Sequence, residues 1–177
     1  SYRQEQNPTP GRHELIFPMF EFEAPGEFNN LLQMESDLCT HLGFKCDHGR
    51  ATYNDLAFPG GNYTSMAGHF AASDNELTAH HEGLIYKEFG DVFFLTEFPE
   101  YTSPFWNMKI GGTTSNGKKY SNKCDVLIGG METIGSAERA TDIDEMRSQF
   151  HTISDGGYAS LLYDLFGKER VEAELEE

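Results

Sequence analysis

Near the amino terminus the chain alternates apolar and acidic side chains: Phe20 and Phe22 interleave with Glu21 and Glu23. A period of two is the pattern of a half-buried strand. Upstream, Tyr2-Arg3-Gln4-Glu5 reads as its partner, and Asn7-Pro8-Thr9-Pro10-Gly11 between them has turn composition. Residues 1–23 therefore predict an antiparallel hairpin. Arg3 and Glu5 share a face of its first strand, with Phe17, Glu21 and Glu23 as candidates to face them from the second. Pro18 predicts an edge or a bulge there.

The period then becomes helical. Phe28, Leu31, Leu32, Leu38, Cys39 and Leu42 predict a helix over 27–43, stopped by Gly43. Residues 59–72 read as a loop that could serve as a lid. Ser73 to Glu76 supply an expected N-cap for a helix running to about Phe89. Val92 to Thr96 is a continuous apolar run, expected as a central strand. A further strand is expected over 105–110 and a hairpin tip over 111–119. Val126-Leu127-Ile128 reads as a buried strand broken by Gly129-Gly130, with Glu132, Ser136, Glu138, Arg139 and Asp142 following. Helices are expected over 142–152, 158–166 and 168–177. This order suggests a single α+β domain, an antiparallel β-sheet flanked by helices.

Composition narrows the class. With 177 residues, 38% hydrophobic content and 14 phenylalanines, the chain can build a core. A formal charge of −16 argues against a broad basic nucleic-acid face. No apolar run approaches the roughly 20 residues that span a bilayer. Cys39, Cys46 and Cys124 are odd in number and widely spaced, which reads as reduced thiols in a cytoplasmic protein. Adjacent His80 and His81, with Glu82, make a poor chelate. The abrupt start at Ser1 and end at Glu177 suggest a fragment.

Two charged clusters carry candidate chemistry. Burying the carboxylates and arginine around 132–139 is costly without partners. An internal ion pair of Arg139 with Glu138 or Glu132 is the simplest account. The amino-terminal group of Arg3, Glu5, Arg12, His13 and Phe17 adds another reading. Arginine forks suit phosphate oxygens, a glutamate accepts from a base's amino group, and a phenylalanine can stack on a purine for about 1–3 kcal/mol. Glu132 could hold Mg²⁺ bridging phosphates, and Arg139 could fix a carboxylate or amide. Together the clusters fit a reaction joining ATP to a small polar acid.

These residues bear a resemblance to a known family. Arg3-Gln4-Glu5, a variable loop, Arg12-His13, Phe17 and Glu21-Phe22-Glu23 follow the second class-defining motif of class II aminoacyl-tRNA synthetases. The subgroup resembled is the one that activates aspartate, asparagine and lysine; the related ammonia-dependent asparagine synthetases share that core. Phe94 to Glu100, Ser103 to Met108, and Asp125 through Glu132 to Arg139 resemble the next blocks, in order.

The resemblance implies ATP bound bent on the sheet, with Mg²⁺, and roles residue by residue. Arg3 would contact the α-phosphate, Glu5 the adenine amino group, Phe17 the ring, and Arg12 and His13 the distal phosphates. Glu132 would ligate Mg²⁺, and Glu21 and Arg139 would read the amino acid. Arginine at 139 is the aspartate and asparagine pattern, glutamate at 21 the asparagine and lysine pattern; the two intersect on asparagine. Pro104 to Met108 is closer to the aspartate pattern. The resemblance further implies tRNA as a partner through regions outside these residues, and a homodimer. The sequence departs at Ile16, commonly acidic in the family, and at Gly135, where some relatives have a metal-binding serine. The family's first and third motifs are absent from these residues.

Overall fold

The computed structural model describes residues 1–46 and 51–176. The amino-terminal hairpin forms as expected but is short. Strand β1 (Tyr2–Gln4) pairs antiparallel with β2 (Ile16–Pro18), and the two make a sheet of their own. The ladder extends by one bond at each end, Glu5 N to Leu15 O and Met19 N to Ser1 O, both 2.8 Å. The expected strand through Phe20 and Phe22 does not form: β2 ends at Pro18, and the last bond of the ladder is that of Met19. Phe20 is consequently 90% exposed.

The main sheet has five strands: β3 (Gly60–Asn62), β4 (Val92–Pro99), β5 (Ile110–Thr113), β6 (Lys119–Ile128) and β7 (Met131–Ala137). Its order is β3-β4-β6-β5, with β7 also on β6. Strands β4 to β7 are antiparallel, as expected; β3 joins β4 in parallel. The apolar run 92–96 is the sheet's centre, with Phe94 fully buried, worth roughly 1.5–3 kcal/mol as a buried side chain.

Helix α1 (Phe28–His41) covers one face, packing Leu32 and Cys39 against Val92, Phe94, Cys124 and Val126. Helices α2 (Tyr63–His69) and α3 (Ala79–Phe89) cover the other, against Phe93, Leu95, Phe98 and Leu127. Helices α4 (Ile143–Thr152), α5 (Gly157–Phe166) and α6 (Lys168–Glu176) form a third cluster around Phe150, Ala159 and Val171. The result is the expected α+β sheet flanked by helices. The expected last residue of the final helix, Glu177, lies outside the described residues.

Four expectations are corrected. Residues 60–69, expected as loop, hold β3 and α2. Glycine is required at 60, where a Cβ would stand 2.7 Å from Phe94 O. Asn62 then caps α2 by accepting from Ser65 N at 2.8 Å. The cap of α3 is Thr78, bonded to His81, rather than the expected residues at 73–76, which make a short 3-10 turn. The expected strand 105–110 starts only at Ile110, because Phe105 and Trp106 turn away to pack edge-to-face on Tyr158 and Phe150; the chain turns there, Met108 N bonding Phe105 O at 3.0 Å. Finally, α1 buries Leu32 and Cys39 as expected, but the rest of its buried stripe differs. Leu38 and Leu42 are exposed at 42% and 62%, while Glu35 and Ser36 are buried.

Candidate active site

Register sets the first half of the site. Arg3 stands directly opposite Phe17 across the hairpin, and directly opposed residues share a face. Glu5 follows two residues on, on that same face. The Arg3 guanidinium is exposed and has no hydrogen-bond or ion-pair partner among the described residues. Arg12 and His13 close the turn, their amides bonding Thr9 O at 3.0 and 2.9 Å. His13 Nδ1 accepts from Thr9 N at 3.2 Å. Arg12 reaches out of the hairpin, pairing with Glu82 of α3 and donating to Gly130 O at 3.3 Å. Arg12 therefore abuts the β6–β7 turn at Gly130, two residues before Glu132 of β7.

A bulge arranges the second half. Leu127 pairs with Glu132 but Val126 with Ile134, so β7 carries one extra residue. Simple alternation would put Glu132 on the face of Ser136. The bulge instead places Glu132, opposite Leu127, with Gly135, opposite Asp125. Their carboxylates meet over Gly135: a Cβ there would stand 2.6 Å from Glu132 Oε1 and 3.8 Å from Asp125 Oδ1. Ser136 goes to the α1 side, its hydroxyl 3.4 Å from Cys124 O.

Lys123 and Asp125 alternate onto the same face of β6. The ammonium contacts both Asp125 oxygens at 2.5 and 2.6 Å and lies 3.7 Å from the centroid of Phe98. Burial, joined by the fields of Glu132 and Glu82, pushes the Asp125 carboxyl up to about 6 against the pull of Lys123. Glu82 is also raised, by burial first, with Arg12 opposing. Lys123, Asp125 and Glu82 line a cavity of about 280 Å³ beside Tyr63 and Phe98. That is just below the roughly 300–1,000 Å³ of sites for drug-sized ligands, and suits a smaller one.

Arg139 follows β7. Its Nε and Nη2 contact Glu23 Oε1 at 3.1 and 2.5 Å, with both side chains exposed. Glu138 pairs with Lys109 at 2.7 Å instead, so the internal pairing of Arg139 with Glu138 or Glu132 does not occur. Glu21 is exposed and accepts from Ser1 Oγ at 2.6 Å. The fold thus joins Arg3 with Phe17, Arg12 with Glu82, and Arg139 with Glu23, while the cavity is lined by none of the eight residues picked from sequence. Sequence reading missed Lys123, Asp125 and Glu82 at the cavity. The signal was present: Lys123-x-Asp125 is a charged pair at strand spacing leading into the apolar run 126–128.

The two carboxylates over Gly135 fit a magnesium ion, which is commonly held by one or two carboxylates plus substrate phosphates. No larger group of His, Cys, Asp and Glu suited to a metal occurs among the described residues. Gly135→Ala would put a methyl group where Glu132 Oε1 turns in. We expect weaker divalent-cation binding with little change in melting temperature, checked by titrating Mn²⁺ and by thermal melts.

The family model for class II tRNA synthetases (D, K and N) matches residues 1–160. This chain belongs to that family. Among solved structures it resembles the aspartyl tRNA synthetase from Entamoeba histolytica, with a TM-score of 0.60 and 18% identity over 92% of this chain and 38% of that one. It also resembles the asparaginyl-tRNA synthetase from Pyrococcus horikoshii complexed with asparaginyl-adenylate (TM-score 0.56, 18% identity, 82% of this chain and 37% of that one). A putative aspartyl-tRNA synthetase from Leishmania major Friedlin gives a TM-score of 0.59 at 13% identity, covering 98% of this chain and 44% of that one. The chain thus spans 37–44% of the length of these proteins, and the likeness is one of fold. No curated protein matches the sequence. No helix among the described residues is long and apolar enough to cross a membrane.

Proposed function

We propose that the protein carrying this chain is an ATP-dependent ligase that activates asparagine or aspartate as an aminoacyl-adenylate. The observation that carries this reading is the Arg3–Phe17 pair on one hairpin face with Glu5 beside it. It offers a cation for phosphate, a ring for a purine and an acceptor for its amino group. The amino acid's carboxylate oxygen attacks the α-phosphorus, a P–O bond forms, and the bond to the bridging oxygen breaks to release pyrophosphate. No protein nucleophile is needed. Arg3 offsets charge developing on the α-phosphate, and Arg12 and His13 meet the distal phosphates. Glu132, with the Gly135 gap beside it, would hold Mg²⁺, which neutralises phosphate charge when bound.

Arg139 reads the substrate side chain, together with Glu21. Its exposed pair with Glu23 is worth only about 0–1 kcal/mol, so a ligand carboxylate or amide can displace Glu23 at small cost. Arg139→Glu should abolish activity with both amino acids by charge reversal, and move the melting temperature by only a few degrees. Retained turnover in that variant removes Arg139 from recognition.

The activated amino acid goes to tRNA, with the protein acting in the cytoplasm as a homodimer. A net charge of −16 repels a polyanion, and this favours a second reading, in which ammonia takes the adenylate of aspartate to give asparagine. Labelled amino acid with ATP and either tRNA or ammonia separates them. Acid-precipitable aminoacyl-tRNA supports the first reading and free asparagine from aspartate the second; neither product refutes both.

A further inference from the structure

Beyond the end of β7, three segments of chain meet at one point. Lys109 N donates to Glu138 O, Glu138 N to Asn122 O and Asn122 N to Lys109 O, each at 2.9 Å, so the three residues close a ring of backbone bonds. Their side chains repeat the meeting. The Glu138 carboxylate accepts from Lys109 Nζ on one oxygen and from Asn122 Nδ2 on the other, both at 2.7 Å. The backbone N–H of Phe28, at the start of α1, also helps hold its charge. Asn122 is held in one orientation, because its Oδ1 fills the space beside Gly111, where a Cβ would stand 1.9 Å away. The Glu138 side chain is only 11% exposed. A carboxylate so placed is costly without partners, and here each partner comes from a different segment of chain.

The next residue is Arg139. Its pair with Glu23 leaves the two side chains 58% and 73% exposed, and such a pair is worth about 0–1 kcal/mol. That is too little to decide where the two side chains meet. The backbone decides it. Arg139 bridges Met108, and Ala140 N bonds Asn107 O at 2.9 Å. Residues 138–140 therefore leave β6 and cross to the segment before β5, with Glu138 at the crossing. Glu23 lies five residues before Phe28, on the other side of the same carboxylate. We propose that Glu138 is a positioning residue: through Lys109, Asn122 and the start of α1 it sets where the Arg139 guanidinium meets Glu23 and, in its turn, the substrate side chain. The last part rests on the ligase reading; the placement of Arg139 against Glu23 does not.

The test is the nuclear magnetic resonance signal of Arg139 Nε–H in the protein that carries this chain. The signal is assigned by its loss in Arg139→Lys and calibrated by Glu23→Ala, which removes the carboxylate that Arg139 rests on. Glu138→Gln leaves two donors, Lys109 and Asn122, facing one acceptor. It should move the signal as far as Glu23→Ala does. Adding Asn122→Asp turns the second bond round at the unaltered total charge, and should return the signal to its original place. A signal that Glu138→Gln leaves in place overturns the proposal, whatever happens to the melting temperature, as does one that Asn122→Asp fails to restore. If Glu138→Gln does not fold, Asn122→Asp alone breaks the same bond by setting two carboxylates face to face, and is read the same way. In ATP–pyrophosphate exchange, Glu138→Gln should lower kcat/KM for the amino acid by about 10- to 100-fold, as misplacing a binding group does, with KM for ATP unchanged. No exchange in the unaltered protein discards the ligase reading, and the Arg139 signal still decides the role of Glu138.

Discussion

Arg3→Ala is expected to lower amino-acid-dependent turnover by roughly 30- to 1,000-fold, a loss of about 2–4 kcal/mol of transition-state stabilisation. The size follows from the kind of interaction removed. A preformed donor aimed at charge that grows during reaction counts far more in the transition state than in the bound substrate. Folding should be nearly unaffected, because Arg3 is exposed and its side chain has no polar partner among the described residues; such surface changes stay within about 0.5 kcal/mol. Steady-state kinetics and a thermal melt on the same variant check both halves. An unchanged kcat would remove Arg3 from the mechanism.

The second large effect lies on the opposite side of the sheet. Glu35 sits in the buried stripe of α1 at 3% exposure, and its Oε2 has no hydrogen-bond partner. Burial, before any other cause, pushes its carboxyl up to about 7, with Ser136 and Cys124 opposing and Asp125 adding. The folded state therefore holds this proton at pH values where the unfolded chain, with a carboxyl near 4.5, has released it. Stability from this group is fully present below about pH 4.5 and is lost as pH rises through 7, in total about 3 kcal/mol. Glu35→Gln keeps the shape and removes the titration, so its urea-unfolding free energy should fall less between pH 4.5 and pH 8. Asp125 is raised too, up to about 6, so part of the slope remains. Identical pH profiles for the variant and the unaltered protein would contradict this assignment.

Local patterning made much of the architecture legible. The apolar run at 92–96 and the glycine-broken run at 126–128 are the central strands, because continuous burial on both faces leaves no other residue choice. The motif at residues 3–23 indicated the hairpin and the family together. What sequence did not show depends on contacts between distant elements. The stripe of α1 had to be read against the sheet: the leucines at 38 and 42 looked like core, and the burial of Glu35 gave no sign in the pattern. Edge-to-face packing on distant aromatic rings took Phe105 and Trp106 out of the expected strand. The bulge in β7 reversed the face of Glu132, which strict alternation cannot foresee. Lys123 and Asp125 were visible as a spacing, but their meaning came only with the cavity they border. Glu82 had drawn notice as a neighbour of two histidines, whereas its partner is Arg12, 70 residues away in sequence.

Arg3 has no side-chain partner among the described residues, and Arg139 rests on Glu23 beyond the end of β7. In the proposed mechanism the first grips the nucleotide and the second exchanges Glu23 for the substrate side chain. ATP–pyrophosphate exchange probes this division of labour, measured with asparagine and with aspartate on the protein that carries these 177 residues. Exchange should depend on one of the two amino acids and be absent without it; no exchange with either would contradict the mechanism.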